Sequence, residues 1–189
     1  MIDLDNINDL PVLILSSPRT GSTVLANFIS DNTHRRFFNE PAQSTKSLHM
    51  FLLHDENHKD YVLKEHTLLF LKRYPEKFIN QSLYKIRIRR KNIFEQVLSN
   101  YIAVNRKQFI FHKGTELADV IKLDENYLCE SLEFIKNYNR ETDLFRYDID
   151  LDLYYEDLNI TESETIPTPR PLNYEELNKW AYDILKDRL

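Results

Sequence analysis

The sequence predicts an α/β protein in which helices cover both faces of a central, mainly parallel sheet. Short apolar runs bounded by turn residues, typical of buried strands, recur along the chain, and segments with helical spacing of apolar residues lie between them. Hydrophobic residues make up 42% and charged residues 29% of the 189-residue chain, which is typical of a globular protein with a core. Alternation of strands with helices is the pattern that builds parallel sheets.

The chain opens with a predicted strand–loop–helix unit. Residues 12–15 form an apolar run that ends in the turn 16–18, and apolar residues from Val24 to Ile29 then share one helical face. Further strands are expected at 61–64, 83–89 and 151–155. A helix is expected from Ile93, two helices between 115 and 139, a loop with three prolines at 161–171, and a helix over 174–185. Asn173 and Glu176 have the spacing of a capping box for that last helix.

Length and composition limit the possible functions. We expect one domain over residues 1–189, because no linker divides the chain. The net charge of -5 argues against general nucleic-acid binding. The single cysteine excludes an intramolecular disulfide and a zinc site built on paired cysteines. Since no apolar run approaches the ~20 residues of a membrane span and the first ten residues lack the apolar core of a signal peptide, we expect a cytoplasmic protein.

The segment SSPRTGST, residues 16–23, has the position of a phosphate-binding loop between strand and helix. The first N–H groups of a helix lack intrahelical partners and favour an anion. In the nucleotide P-loop pattern, Ser16 replaces the first glycine and Ser22 replaces the lysine, while Arg19 places a basic side chain inside the loop. The alternative is an ordinary strand–turn–helix connection, since short loops of serine, threonine and glycine are common.

This segment resembles the 5′-phosphosulfate-binding loop of sulfotransferases that use 3′-phosphoadenosine 5′-phosphosulfate (PAPS), and it is closest in pattern to the bacterial glycolipid-sulfotransferase-like branch. The resemblance implies a P-loop-like, three-layer α/β/α core, PAPS as donor, PAP as product and no metal. It implies that Arg19 contacts the sulfuryl or bridging oxygen. It also implies that the rest of the loop holds the 5′-phosphate, through Ser17, Pro18, Thr20, Gly21, Ser22 and Thr23.

Two further segments resemble motifs of this family. Asn39-Glu40-Pro41 is similar to the turn whose glutamate is the family's proposed catalytic base, and a carboxylate there can accept the proton of an acceptor hydroxyl. The segment RIRRKNIFEQVLS, residues 87–99, is similar to the 3′-phosphate motif, in which a strand-ending arginine precedes a serine. Arg90 is the first choice for that arginine and Arg89 the second, with Ser99 as the serine. The alternatives are a glutamate in an exposed turn and a basic strand end on a solvated face.

The C-terminal part matches the family less closely. LYYEDLNI, residues 153–160, resembles a strand-ending segment that we interpret as structural. The family's C-terminal loop over the 3′-phosphate is absent, and residues 168–177 are a candidate replacement with Arg170 as the basic residue.

Lys64 and His66 complete the candidate catalytic residues. They end the second predicted strand, and ligands of α/β sheets bind at the carboxyl ends of strands. Lys64 can stabilise charge on the transferred group. His66 is an alternative to Glu40 as the base, although a surface histidine is the more common explanation.

The sequence therefore predicts a sulfotransferase that transfers a sulfuryl group from PAPS to a hydroxyl or amine of an unidentified small-molecule, carbohydrate or lipid acceptor. One alternative is a P-loop-type nucleotide kinase or hydrolase, against which the missing lysine argues. The other is a PAP-binding protein without turnover.

Overall fold

The computed structural model describes residues 7, 10–58, 60–112, 119–145, 147–158, 160, 165–166 and 169–189. In this part of the chain, five strands form an all-parallel central sheet, and two short strands pair antiparallel elsewhere. The strands in chain order are β1 (Val12–Ser16), β2 (Arg36–Asn39), β3 (Tyr61–His66), β4 (Tyr84–Arg89), β5 (Phe111–His112), β6 (Leu151–Tyr154) and β7 (Thr165–Ile166). The predicted α/β class with a parallel central sheet is confirmed.

Helices cover both faces of this sheet, because alternate side chains of β1 point to opposite sides. Val12 and Ile14 pack in the core formed with α1, whereas Leu13 and Leu15 pack in the core that contains Phe51 of α2. The helices are α1 (Ser22–Thr33), α2 (Thr45–Asn57), α3 (Thr67–Arg73), α4 (Glu76–Ile79), α5 (Ile93–Arg106), α6 (Glu125–Asp143) and α7 (Tyr174–Leu185), with 3₁₀ turns at Pro41–Gln43 and Tyr155–Asp157.

The strand order positions one edge of the sheet for ligand binding. The order is β2-β3-β1-β4-β6, so the chain builds first on one side of β1 and then crosses to the other. Ligands of open parallel sheets bind outside the carboxyl ends of the strands at such a switch. Here that edge carries the loop after β1 and the residues that end or follow β2, β3, β4 and β6.

The sequence analysis missed one strand and predicted one helix too many. Strand β2 was not expected, because its four residues RFFN show no alternation of apolar and polar residues. Between 115 and 139 the described residues contain one helix rather than two. It begins at Glu125, where the Asp124 side chain caps it by accepting a hydrogen bond from the Tyr127 N–H at 3.2 Å. Val120 and Ile121 precede this helix in an irregular segment, and residues 113–118 lie outside the described part.

The predicted capping box of the last helix does not form either. The Asn173 side chain makes no capping bond to α7. It bonds the backbone of Ile121 instead, accepting from the N–H at 3.0 Å and donating to the carbonyl at 2.9 Å. The amide therefore ties the start of α7 to the segment before α6.

Candidate functional site

A cavity of about 1040 Å³ lies at the carboxyl ends of the parallel strands. Its lining includes a residue from the connection after, or the end of, each of the five strands. Most of the residues that the sequence analysis selected lie on this one cavity: Pro18, Arg19, Gly21, Ser22, Thr23, Glu40, Lys64, His66, Arg90, Ser99 and Arg170.

The loop after β1 turns sharply through left-handed backbone. Gly21 has φ +72° and Arg19 has φ +63°. Ser17 and Thr20 do not line the cavity, because both are buried and the Thr20 hydroxyl donates to the Ser17 carbonyl at 3.0 Å. The structure thus places these two hydroxyls inside the loop, away from the position that the resemblance implied for Thr20.

Arg19 extends from the loop across the cavity. Its Nε donates to the Ser99 hydroxyl at 3.1 Å, and a terminal nitrogen donates to the Phe109 carbonyl at 2.6 Å. Burial, and then the charge of Arg90, lower the pKa of Arg19 to about 10. The guanidinium remains charged at neutral pH, and it lies in a region where that charge is poorly solvated. An anion in the cavity would compensate it.

Arg90 and Arg89 point to different places, although they are neighbours. Arg90 lines the cavity, donates to the Arg19 carbonyl at 3.2 Å and lies 5.0 Å from the ring centre of Tyr155. Its Nε is buried, lies 3.6 Å from Oε1 of Glu156 and has no hydrogen-bond partner among the described residues. Arg89 does not line the cavity and donates to Asp152 at 2.7 Å. The structure brings Arg90 to Arg19 and Ser99, and it does not bring Arg89 there.

Glu40, Lys64 and His66 form a second cluster, because β2 and β3 are neighbours in the sheet. Glu40 accepts a hydrogen bond from the ammonium of Lys64 and lies 3.2 Å from Nε2 of His66. Burial lowers the pKa of Lys64 to about 7, which the neighbouring Glu65 opposes. Burial, and then the charge of Lys64, lower the pKa of His66 well below 6.5, so the imidazole is neutral at neutral pH.

The turn that carries Glu40 is held by a carboxylate that the sequence analysis missed. Glu65 is fully buried, and its Oε2 accepts from the Ala42 N–H at 2.9 Å while its Oε1 accepts from the N–H of His66 at 2.9 Å. Burial raises the pKa of Glu65. Because side chains alternate along β3, Glu65 holds the turn from the face opposite to Lys64 and His66, which line the cavity.

Helix α6 forms a wall of the cavity that was also missed. The residues of α6 that line the cavity recur at helical spacing, and this spacing is the feature of the sequence that could have indicated the wall. The Tyr138 ring lies 5.6 Å from His66 and 4.7 Å from Phe134, measured between ring centres. The lining residues of α6 are Tyr127, Glu130, Ser131, Phe134 and Tyr138.

Arg170 lies on the same cavity, at the start of the C-terminal segment. Its guanidinium carbon is 4.4 Å from the ring centre of Tyr174. Tyr174 also lines the cavity, so the side chain of Arg170 rests on a residue of α7.

The fold and this site define an α/β protein with a cavity at the carboxyl end of its parallel sheet, lined by the partly buried Arg19 and Arg90 and by the buried Lys64. The chain matches no family model and no curated protein. In the described part of the chain, no helix combines the length and apolar character needed to cross a membrane. Within the same residues, no three His, Cys, Asp or Glu side chains are grouped so that they could hold a metal ion.

Proposed function

We propose that this chain is a sulfotransferase that uses PAPS as donor. One observation carries the proposal: two clusters of different chemistry meet on one cavity at the end of β1. Arg19, Arg90 and Ser99 form a group of anion-binding type, and Glu40, Lys64 and His66 form a group able to accept a proton. Transfer of an anionic group to a neutral nucleophile requires both.

The residues of the first cluster fit a donor with separate phosphate groups. The N-terminus of α1, with Ser22 and Thr23, opens on the cavity and suits one phosphate. Arg90 offers its buried Nε, which has no hydrogen-bond partner in the described chain, to a second. PAPS bound there would supply the sulfuryl group, and Arg19 belongs to the loop before α1 and contacts Arg90 through its carbonyl.

The second cluster suits the acceptor. Glu40 accepts a hydrogen bond from Lys64, and burial lowers the pKa of His66 well below 6.5, so either side chain is a candidate for taking the proton that an acceptor hydroxyl releases. Arg19 and Lys64 can balance negative charge on the sulfuryl oxygens as the new oxygen–sulfur bond forms and the sulfur–oxygen bond to the phosphate breaks. We assign the base to Glu40, with His66 as the alternative.

The α6 wall is where the acceptor body would lie. Phe134 is 43% exposed although it lines a cavity, and its ring continues the row from His66 through Tyr138. Exposed rings beside a reaction centre favour an acceptor with a flat or apolar body that covers them. We therefore propose a small organic acceptor whose hydroxyl or amine reaches Glu40.

The direct test measures binding and turnover separately. Calorimetry with PAP, AMP and ATP should show PAP binding most tightly, and PAPS should be converted to PAP in the presence of acceptors and of EDTA. Turnover that EDTA abolishes and magnesium restores, together with tighter binding of ATP, would instead identify a nucleotide kinase or hydrolase. PAP binding without conversion of PAPS across a panel of phenols, sterols, sugars and amines would identify a binding protein.

A further inference from the structure

Side chains hold four successive backbone carbonyls of the loop after β1. The donors come from three different parts of the fold and from the loop itself. The hydroxyl of Thr67 donates to the Ser16 carbonyl at 3.5 Å, Thr20 to Ser17 at 3.0 Å, Gln96 to Pro18 at 2.6 Å and Arg90 to Arg19 at 3.2 Å.

The direction of a carbonyl fixes the direction of the next N–H group. In a planar trans peptide the two bonds point in opposite directions. A carbonyl that turns into the protein therefore turns the following N–H outward, and several such N–H groups in succession form a concave anion site. The donors to Pro18 and Arg19 accordingly direct the N–H groups of Arg19 and Thr20.

Gln96 makes the shortest of these four bonds and has no exposed surface. From α5 its Nε2 also donates to the hydroxyl of Ser17, at 3.0 Å. Asn139 of α6 pairs with the same amide in both directions. Its Oδ1 accepts from Nε2 of Gln96 at 3.2 Å, and its Nδ2 donates to Oε1 of Gln96 at 3.0 Å. The Pro18 carbonyl can only accept, so it requires that Nε2 of Gln96 face the loop, and the pair with Asn139 holds the amide in that orientation.

We propose that Gln96, oriented by Asn139, is a positioning residue that holds the donor-binding loop in its anion-binding conformation. The assignment of a donor to this loop rests on the proposed function. Gln96 does not line the cavity, so it acts on a bound anion only through the Ser17 hydroxyl and the Pro18 carbonyl of the loop. Gln96 therefore affects the shape of the loop and the binding of the donor, and it takes no part in the transfer step.

The first test replaces Gln96 by Met, which keeps length and burial and removes both donors. The Kd for PAP and the KM for PAPS should rise together, by about tenfold, because an unsatisfied buried carbonyl leaves the loop free to rearrange. The kcat should change less than about twofold, since uniform binding is lost rather than transition-state binding. Asn139→Leu should give a smaller change of the same kind if Gln96→Met proves unstable. Gln81→Met is the matched control, because Gln81 donates to Asp55, far from the loop in the fold.

The second test uses the protein without any ligand. The chain has only two glycines, Gly21 and Gly114, so selective ¹⁵N-glycine labelling gives two signals, and the one that remains in Gly114→Ala belongs to Gly21. Gln96→Met should shift the Gly21 signal, and Gln81→Met should leave it in place.

An unmoved Gly21 signal, or a lower kcat with unchanged KM for PAPS, would overturn the positioning role. If the unmodified protein binds no PAP, the proposed function fails, and the Gly21 signal still decides whether Gln96 shapes the loop.

Discussion

At the scale of single residues, the Tyr155 ring leaves no room for a side chain at Gly21. A Cβ added to Gly21 would lie 2.2 Å from Cδ2 of Tyr155. The same ring also packs against Arg90, whose guanidinium carbon lies 5.0 Å from the ring centre. Tyr155 follows β6, within the segment that we interpreted as structural. The Tyr155 ring therefore brings the residues that follow β4 and β6 into contact with the loop after β1.

We expect Gly21→Ala to destabilise the protein by about 1–3 kcal/mol, because the new methyl group meets the ring and because φ +72° strains any residue with a Cβ. Urea unfolding measures the change. The double variant Gly21→Ala/Tyr155→Ala separates the two causes, since removing the ring relieves only the clash. If Gly21→Ala lowers the free energy of unfolding by the same amount in the original protein and in Tyr155→Ala, the contact with the ring contributes nothing.

Glu40 and His66 lie close enough that only substitution can assign the proton acceptor. We expect Glu40→Gln to lower kcat by about a hundredfold or more, the usual scale for loss of a general base, with little change in the Kd for PAP. Glu76→Gln, a carboxylate on α4 outside the cavity, is the control. Normal turnover of Glu40→Gln together with an inactive His66→Ala would assign the base to His66. Normal turnover of both variants would mean that the acceptor needs no base.

At the scale of elements, β4 explains why adjacent arginines differ. Side chains alternate along a strand, so Arg87 and Arg89 share one face, where both pair with Asp152. Arg90 follows the end of the strand and turns to the cavity. Sequence spacing to Ser99 left both neighbours open, because spacing does not show which face a strand end presents.

Variants of these two arginines should therefore behave differently. Arg90→Ala should remove a preference for PAP over AMP that we expect to be at least about tenfold, or about 1.4 kcal/mol, because AMP lacks the 3′-phosphate. Arg89→Ala should keep the preference, since it removes ion pairs with Asp152 and Asp143 that lie outside the cavity. Calorimetry with both nucleotides measures the ratio for each variant. A preference lost in Arg89→Ala and kept in Arg90→Ala would reverse the assignment.

Elements with a strong apolar pattern were predictable from the sequence, and weakly patterned ones were not. The positions of β1 and α7 were predicted closely, because a strand buried on both faces is a continuous apolar run and a helix buried on one face has an apolar stripe. The four residues of β2 have no such pattern, so this strand was not predicted. Asn173 had the sequence of a cap, yet its amide bonds Ile121, because a tertiary partner competes with the local one.

The same distinction holds for the site. Residues of local motifs, such as Arg19 and Glu40, were found because their neighbours in sequence define the motif. Gln96 and Glu65 were missed, because their role comes from contacts with backbone that is distant in sequence or belongs to another element. The wall that Phe134 and Tyr138 form was missed for a simpler reason. A helical stripe of apolar residues predicts a face buried in the core as well as it predicts a face that lines a cavity.

At the scale of the whole molecule, the buried ammonium of Lys64 affects stability. Its pKa is lowered from 10.5 to about 7, so between these values the unfolded chain binds a proton that the folded chain does not. Stability therefore rises with pH across this window, by up to about 1.4 kcal/mol per pH unit from this group. Below pH 7 both states are protonated, and the gain is absent.

We expect Lys64→Met to remove this part of the pH dependence. Urea unfolding of both proteins at pH 6, 8 and 9.5 measures it, and the free energy of unfolding should rise less with pH in the variant. Lys85→Met is the control, a lysine on β4 outside the cavity. Parallel pH profiles for the original protein and Lys64→Met would show that the ammonium keeps an ordinary pKa.

The two clusters of the site follow strands that differ in their number of hydrogen-bonded neighbours. Strand β1 is hydrogen-bonded on both sides, by β3 and β4, whereas β2 pairs only with β3 within the described sheet. Amide hydrogen exchange at β1 should therefore require opening of the sheet as a whole, while β2 can open by itself. We therefore expect the amides of β1, which precedes the Arg19 loop, to exchange more slowly than those of β2, which precedes Glu40. The two sides of the proposed site would then differ in how much of the sheet must open before they can move.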